Sequence, residues 1–182
     1  MQKVKRTPAG DALTDLMLDL FRANSLILTV GDRLVAPLGL TSARWQILGA
    51  IVSAERPQPV SWLARDLGAN RQNVQRIIND LRKEGLVAFA PNPHHRRAQL
   101  VILTDKGKRA FETAMDLQAP WVNKLADGLL AKDIGAVRRV VTALRKKLEG
   151  SGRSGEMAHF LEPGMTPRET ARAPARPARP TR

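Results

Sequence analysis

The stretch Leu63-Ala64-Arg65-Asp66-Leu67-Gly68-Ala69-Asn70-Arg71-Gln72-Asn73-Val74-Gln75-Arg76-Ile77-Ile78-Asn79-Asp80-Leu81, continued by Arg82-Lys83-Glu84-Gly85, decides the fold class. Val74, Ile77, Ile78 and Leu81 stand at i, i+3, i+4 and i+7, so a helix would gather them on one face. Asn70 can cap that helix, because its side-chain oxygen accepts from the free amides of the first turn. Gly85 stops it, and the pattern predicts a helix from Asn70 to Glu84. Just upstream, a short helix from Val60 to Leu67 turns Leu63, Ala64 and Leu67 inward, and Gly68 supplies a left-handed turn residue. A short helix, a tight glycine turn and an amphipathic helix form a helix-turn-helix.

The polar face of the second helix carries Arg71, Gln72, Asn73, Gln75, Arg76, Asn79 and Lys83. Arginine can bond guanine bidentately at O6 and N7, and asparagine or glutamine can bond adenine at N6 and N7. The first acid on this helix is Asp80. Such a face suits base reading in a major groove, chiefly through its N-terminal half. The alternative is a solvated polar surface.

Working outward on the C-terminal side, the period changes. Residues 86–90 and 99–103 read as strands, and residues 91–98 form a turn-rich basic loop between them. This predicts a hairpin, or wing, with Arg96 and Arg97 near its tip. Arginines there suit a narrow minor groove; the alternative is two solvated side chains. His94 and His95 are adjacent and point apart in an extended loop, with no cysteine or acid cluster to complete a metal site. No metal is expected.

On the N-terminal side, residues 1–10 read as a basic arm with Lys3, Lys5 and Arg6. A long helix starts at Asp11 and ends at Pro37 and Gly39. Leucines and valines line more than one side of it, as in a helix held between two bodies. Thr41 caps a second helix with Trp45, Ile47, Leu48 and Ile51, which stops before Pro57-Gln58-Pro59. Beyond the wing, Thr104-Asp105 starts a long helix with Phe111, Ala114, Met115 and Trp121 on one face. Pro120 should kink or divide it. A last helix runs from about Asp133 to Leu148 with the 3-4-3-4 apolar spacing of shallow helix packing, between chains or within one. From Gly150 the composition shifts toward Gly, Ser, Pro and Arg, and most of residues 150–182 reads as a disordered tail.

The bulk numbers agree with a helical DNA binder. Lys and Arg total 30 against 17 acids, for a net charge of +13. Clustered cations gain free energy by releasing counterions from phosphates. An anionic membrane surface is another polyanion that fits, as is a nonspecific or architectural role on nucleic acid. The chain has no cysteine, which excludes disulfides, thiolate metal sites and a cysteine nucleophile. No phosphate loop, nucleophile elbow or metalloprotease pattern occurs, and the three histidines fall in the wing and the tail. The expectation is a non-enzyme without cofactor. With no apolar leader and no membrane-length apolar run, a cytoplasmic protein that does not engage a membrane is expected.

Four segments in this order and spacing resemble the MarR family of winged-helix regulators: LTSARWQIL, the helix with Leu63 and Ala64, RQNVQRIINDLRKEGLV, and RRAQLVILTDKG. The resemblance spans about residues 11–149. It implies a mainly α fold with a small β wing, in which a winged helix-turn-helix lobe (about 41–103) is flanked by dimerisation helices (about 11–36 and 104–149). It further implies a homodimer on a pseudo-palindromic duplex operator, commonly a repressor released by a small aromatic or acyl effector. The reading residues would be Arg71, Gln72, Gln75 and Arg76, with Arg96 in the wing. Many wings of the family carry Asp where this chain has His94, so this loop is expected either to be held differently or to respond to pH. An effector site, if built, would involve Phe21, Ser25, Arg44, Trp45, Phe111 and Met115, with Arg44 facing an effector anion or a DNA phosphate.

Overall fold

The computed structural model describes residues 5–95 and 97–153. The expected mainly α architecture with a small antiparallel sheet is present. In chain order the elements are α1 (Pro8–Val35), a 3-10 turn (Ala36–Leu38), α2 (Ser42–Ser53), β1 (Gln58–Pro59), α3 (Val60–Asp66), α4 (Arg71–Lys83), β2 (Val87–Ala90), β3 (Leu100–Leu103), α5 (Asp105–Ala126) and α6 (Ala131–Arg153). One compact unit extends to Leu125, and a second, containing α6, begins at Ala126.

The core of the first unit is aliphatic. Leu48 of α2, Leu63 of α3, Ile78 and Leu81 of α4 and Val101 of β3 are all buried. Each such side chain contributes roughly 1.5–3 kcal/mol through removal from water. The apolar stripe of α4 is fully used in this way: Val74, Ile77, Ile78 and Leu81 face α2 and α3, which fixes its polar side outward. The sheet order is β1-β3-β2, with Val87 opposite Leu103 and Ala90 opposite Leu100.

Several boundaries differ from the sequence expectations. The first helix begins at Pro8 rather than Asp11. Thr7 caps it, its Oγ1 accepting from Gly10 N at 3.1 Å, and proline suits a first turn whose amide needs no partner. Pro57-Gln58-Pro59 is more than a break: Gln58 and Pro59 pair with Val101 and Leu100. Proline is tolerated there because β1 is an edge strand. Helix α5 is not divided at Pro120. Proline removes one bond to the carbonyl of Asp116, and both residues lie on the exposed side, where water replaces it. Helix α6 continues past Leu148 to Arg153, and starts at Ala131 because Gly128, at φ 77°, ends the preceding helix. The rest of the expected tail, and Lys3 of the expected arm, lie outside the described residues.

The junction of α1 with α2 is close-fitting. Ser42 N donates to Asp32 Oδ1 at 2.6 Å, and Ser42 Oγ donates to the Leu28 carbonyl at 2.8 Å. Gly31 leaves room for this hydroxyl, since a Cβ there would stand 2.6 Å from Ser42 Oγ.

Candidate nucleic-acid interface

Asn70 caps α4 as the sequence predicts. Its Oδ1 accepts from Gln72 N at 2.8 Å and from Asn73 N at 3.3 Å. Arg71, Gln72, Asn73, Arg76 and Asn79 are exposed, and Gln75 is half-buried. The side chains are ordered by each other. Gln75 Nε2 donates to Asn79 Oδ1 at 3.1 Å, and Arg76 Nη2 donates to Asn73 Oδ1 at 3.0 Å. Arg76 and Lys83 both reach Asp80, at 3.8 and 3.6 Å. Such exposed pairs are weak, so a base edge or phosphate can replace them at little cost.

The helix presents two flanks. On one, Arg71, Gln75 and Asn79 line a concavity of about 320 Å³ together with Ser61, Arg82 and Arg97. The guanidinium of Arg82 stacks on Phe89 of β2, 5.4 Å from the ring centroid. On the other flank, Arg76 and Lys83 share a cleft with Thr41 and Arg44 of the α2 start. The residues expected to read bases are therefore divided, with Arg71, Gln75 and Asn79 toward the wing and Arg76 toward α2. Arg97 joins the first group. Arg96 lies outside the described residues.

The wing loop has its own clamp. Asn92 Oδ1 accepts from His94 N at 3.0 Å, and Asn92 Nδ2 donates to the Ala98 carbonyl at 2.9 Å. An asparagine amide thus spans the loop in a chain that has His94 where many wings carry an acid. Arg82 and Asn92 were not among the residues expected from sequence. The Arg82–Phe89 stack joins two elements, so periodicity does not reveal it. Asn92 carried a usable signal, since asparagine before proline often turns the backbone through its own side chain.

A second, apolar cleft of about 400 Å³ lies between α1, α2 and α5. Trp45, Phe111 and Met115 line it, and Trp121 adds a further aromatic wall. Phe21, Ser25 and Arg44 are not part of its lining. Phe21 and Ser25 are exposed on α1, and Arg44 pairs with Glu84 of the α4 end. The polar lining is uncharged: Ser42, Gln46, Ser53 and Gln118. Among the described residues, no group of three or more His, Cys, Asp or Glu could hold a metal ion, and no single helix is long and apolar enough to cross a membrane.

Comparison with known proteins gives this geometry a family. The model of the MarR family matches residues 38–98, which contain α2 through most of the wing. The uncharacterized protein Rv2011c of Mycobacterium tuberculosis is 34% identical over 140 residues, covering 75% of this chain and 96% of that protein. The transcriptional activatory protein BadR of Rhodopseudomonas palustris is 31% identical over 117 residues, covering 61% of this chain and 67% of its own. The M. tuberculosis transcriptional regulator MosR, solved in complex with DNA, superposes with a TM-score of 0.63 at 25% identity, covering 74% of this chain and 96% of that one. With a helix-turn-helix in which Arg71, Gln75 and Asn79 share a concavity with Arg97 of the wing, the chain belongs to the MarR family of winged-helix DNA-binding regulators.

Proposed function

We propose that the protein is a homodimeric, sequence-specific transcriptional repressor that binds a pseudo-palindromic operator and is released by a small aromatic or acyl effector. One observation carries the reading. Arg71, Gln75 and Asn79 share a single concavity with Arg97 of the wing. Groove reading by α4 and backbone or minor-groove contact by the wing can thus occur on one duplex. One copy of α4 offers few base contacts. Two copies about one helical turn apart would double them.

The dimer is supported by unpartnered apolar faces. Phe21 and Leu26 of α1 are each 66% exposed. In α6, Ile134, Val137 and Leu148 are exposed as well. The effector reading is supported by the cleft bounded by Trp45, Phe111 and Trp121. Its uncharged lining favours a ring held by stacking and by amide hydrogen bonds over one anchored through a carboxylate.

The test is selection of bound fragments from random duplex DNA, followed by nuclease footprinting on the recovered sequence. A protected near-palindrome with half-sites one turn apart is expected. Recovery of no shared sequence would overturn the reading in favour of nonspecific binding. A reporter driven from the recovered operator gives the sign of regulation, with derepression on deletion of the protein expected.

A further inference from the structure

Arg44 stands in the first turn of α2, and its side chain is only 16% exposed. Its Nη1 donates to the Gly39 carbonyl at 2.8 Å, and its Nη2 forms an ion pair with Glu84 Oε1. Gly39 closes the 3-10 turn after α1 in a left-handed conformation, φ 68°. Glu84 is the C-cap of α4. One guanidinium therefore spans from the α1–α2 junction to the end of the helix that carries Arg71, Gln75 and Arg76.

The far end of α4 is held from the other side by backbone contacts. Lys106 Nζ donates to the Glu84 carbonyl at 2.8 Å, and Thr104 Oγ1 donates to the Gly85 carbonyl at 2.6 Å. These contacts fix the end of α4 to the start of α5. The contact from α2 is of a different kind, because it is a pair between two charged side chains. Arg44 Nε and Nη2 are buried, and Nη2 meets the Glu84 carboxylate as an ion pair. Nε and Nη2 are the edge of the guanidinium fork that takes a carboxylate bidentately.

We propose that Arg44 is a positioning residue for DNA reading. Through Glu84 it sets where the end of α4 lies relative to the α1–α2 junction, and so aligns Arg71, Gln75 and Arg76 on the bases without itself touching DNA. The inference rests on the proposal that α4 reads sequence. It separates Arg44 from both roles its charge suggests, effector anchor and phosphate contact.

The experiment uses the full chain and two duplexes, the sequence recovered by random selection with the unaltered protein and a scrambled duplex of the same length and composition. Glu84→Gln removes the pair at a half-exposed residue, and Arg44→Gln removes it from the buried side. Each should lower affinity for the selected duplex about tenfold. Affinity for the scrambled duplex should stay within about twofold and the salt slope unchanged. The two changes together should cost no more than either alone, because they break one interaction. Exchange of the charges, Arg44→Glu with Glu84→Arg, should recover part of the loss. If Arg44→Gln does not fold, Glu84→Gln and the exchange still carry the test. Equal losses on both duplexes with a shallower salt slope would make Arg44 a phosphate contact and overturn the inference. Equal gains on both would make Glu84 a repelling charge and overturn it too. Unchanged discrimination in Glu84→Gln would overturn it while leaving sequence reading by α4 intact. If the unaltered protein does not distinguish the two duplexes, the sequence-reading proposal itself falls, and this inference with it.

Discussion

At the scale of single residues, the wing is governed by Asn92. Its amide accepts from His94 N and donates to the Ala98 carbonyl, and so bridges the loop. Asn92→Ala should remove both contacts without touching the core. The expected result is a three- to tenfold weaker complex with the selected operator, at about one hydrogen bond each, and a nearly unchanged Tm. Asn92→Asp keeps the acceptor for His94 N and loses the donor, so it should fall between the two. Fluorescence anisotropy with a labelled duplex measures this directly. A wild-type affinity in Asn92→Ala would show that the clamp does not hold the wing for binding.

Arg71 and Arg76 mark how far single residues were legible. Their place on the polar face followed from the spacing of Val74, Ile77, Ile78 and Leu81, which is a local property of α4. Which flank each one faces did not follow, because that depends on the wing and on α2, elements distant in sequence. Arg44 shows the same boundary more sharply. Its partner Glu84 is forty positions away, and nothing in either neighbourhood announces the pair.

At the scale of elements, the tightest joint lies between the end of α4 and the start of α5. The Leu86 carbonyl accepts from Thr104 N at 3.1 Å, and Thr104 Oγ1 accepts from Gly107 N at 3.0 Å. Gly107 is buried, and a Cβ on it would overlap the Leu86 carbonyl oxygen. Gly107→Ala should therefore force α5 away from this carbonyl. Overpacking of this kind costs about 1–3 kcal/mol, or a Tm lower by roughly 3–10 °C in a chain of this size. Differential scanning calorimetry checks it, and an unchanged Tm would mean that the joint gives way freely.

The elements also show why some boundaries escaped sequence reading. Helix α4 was legible because cap, period and stop all agree on it. Strand β1 was not, because two residues carry no period and Gln58–Pro59 becomes a strand only through pairing with β3. The start of α1 was hidden by the basic residues around it, although Thr7 and Pro8 together form a recognisable cap and first turn. Pro120 lies inside α5 without dividing it, on the exposed side of the helix.

At the scale of the whole molecule, the proposed assembly depends on apolar faces that the chain leaves open. Phe21 and Leu26 are two-thirds exposed on α1. Burial of one such side chain contributes roughly 1.5–3 kcal/mol. Phe21→Asp should weaken self-association by at least about tenfold, visible by sedimentation velocity as a shift to the monomer. Operator affinity should fall with it, while affinity of the monomer for scrambled DNA should change little. A dimer that resists Phe21→Asp would place the interface elsewhere. The net charge of +13 acts at this scale too. It raises encounter with any duplex, an effect that weakens with added salt, so on the proposed reading discrimination between duplexes rests on the polar side chains of α4 rather than on net charge.

The feet of the wing hold a further consequence. Three successive carbonyls, those of Glu84, Gly85 and Leu86, are met by Lys106 and Thr104. The hairpin between them leaves the body of the lobe and returns to it at nearly the same point. Lengthening its tip would cost only about 0.6 kcal/mol for each doubling of loop length, and the alignment of α4 with α5 would not register the change. On the proposed reading, a longer tip would change how the wing meets the duplex while the contacts that join α4 to α5 stay in place.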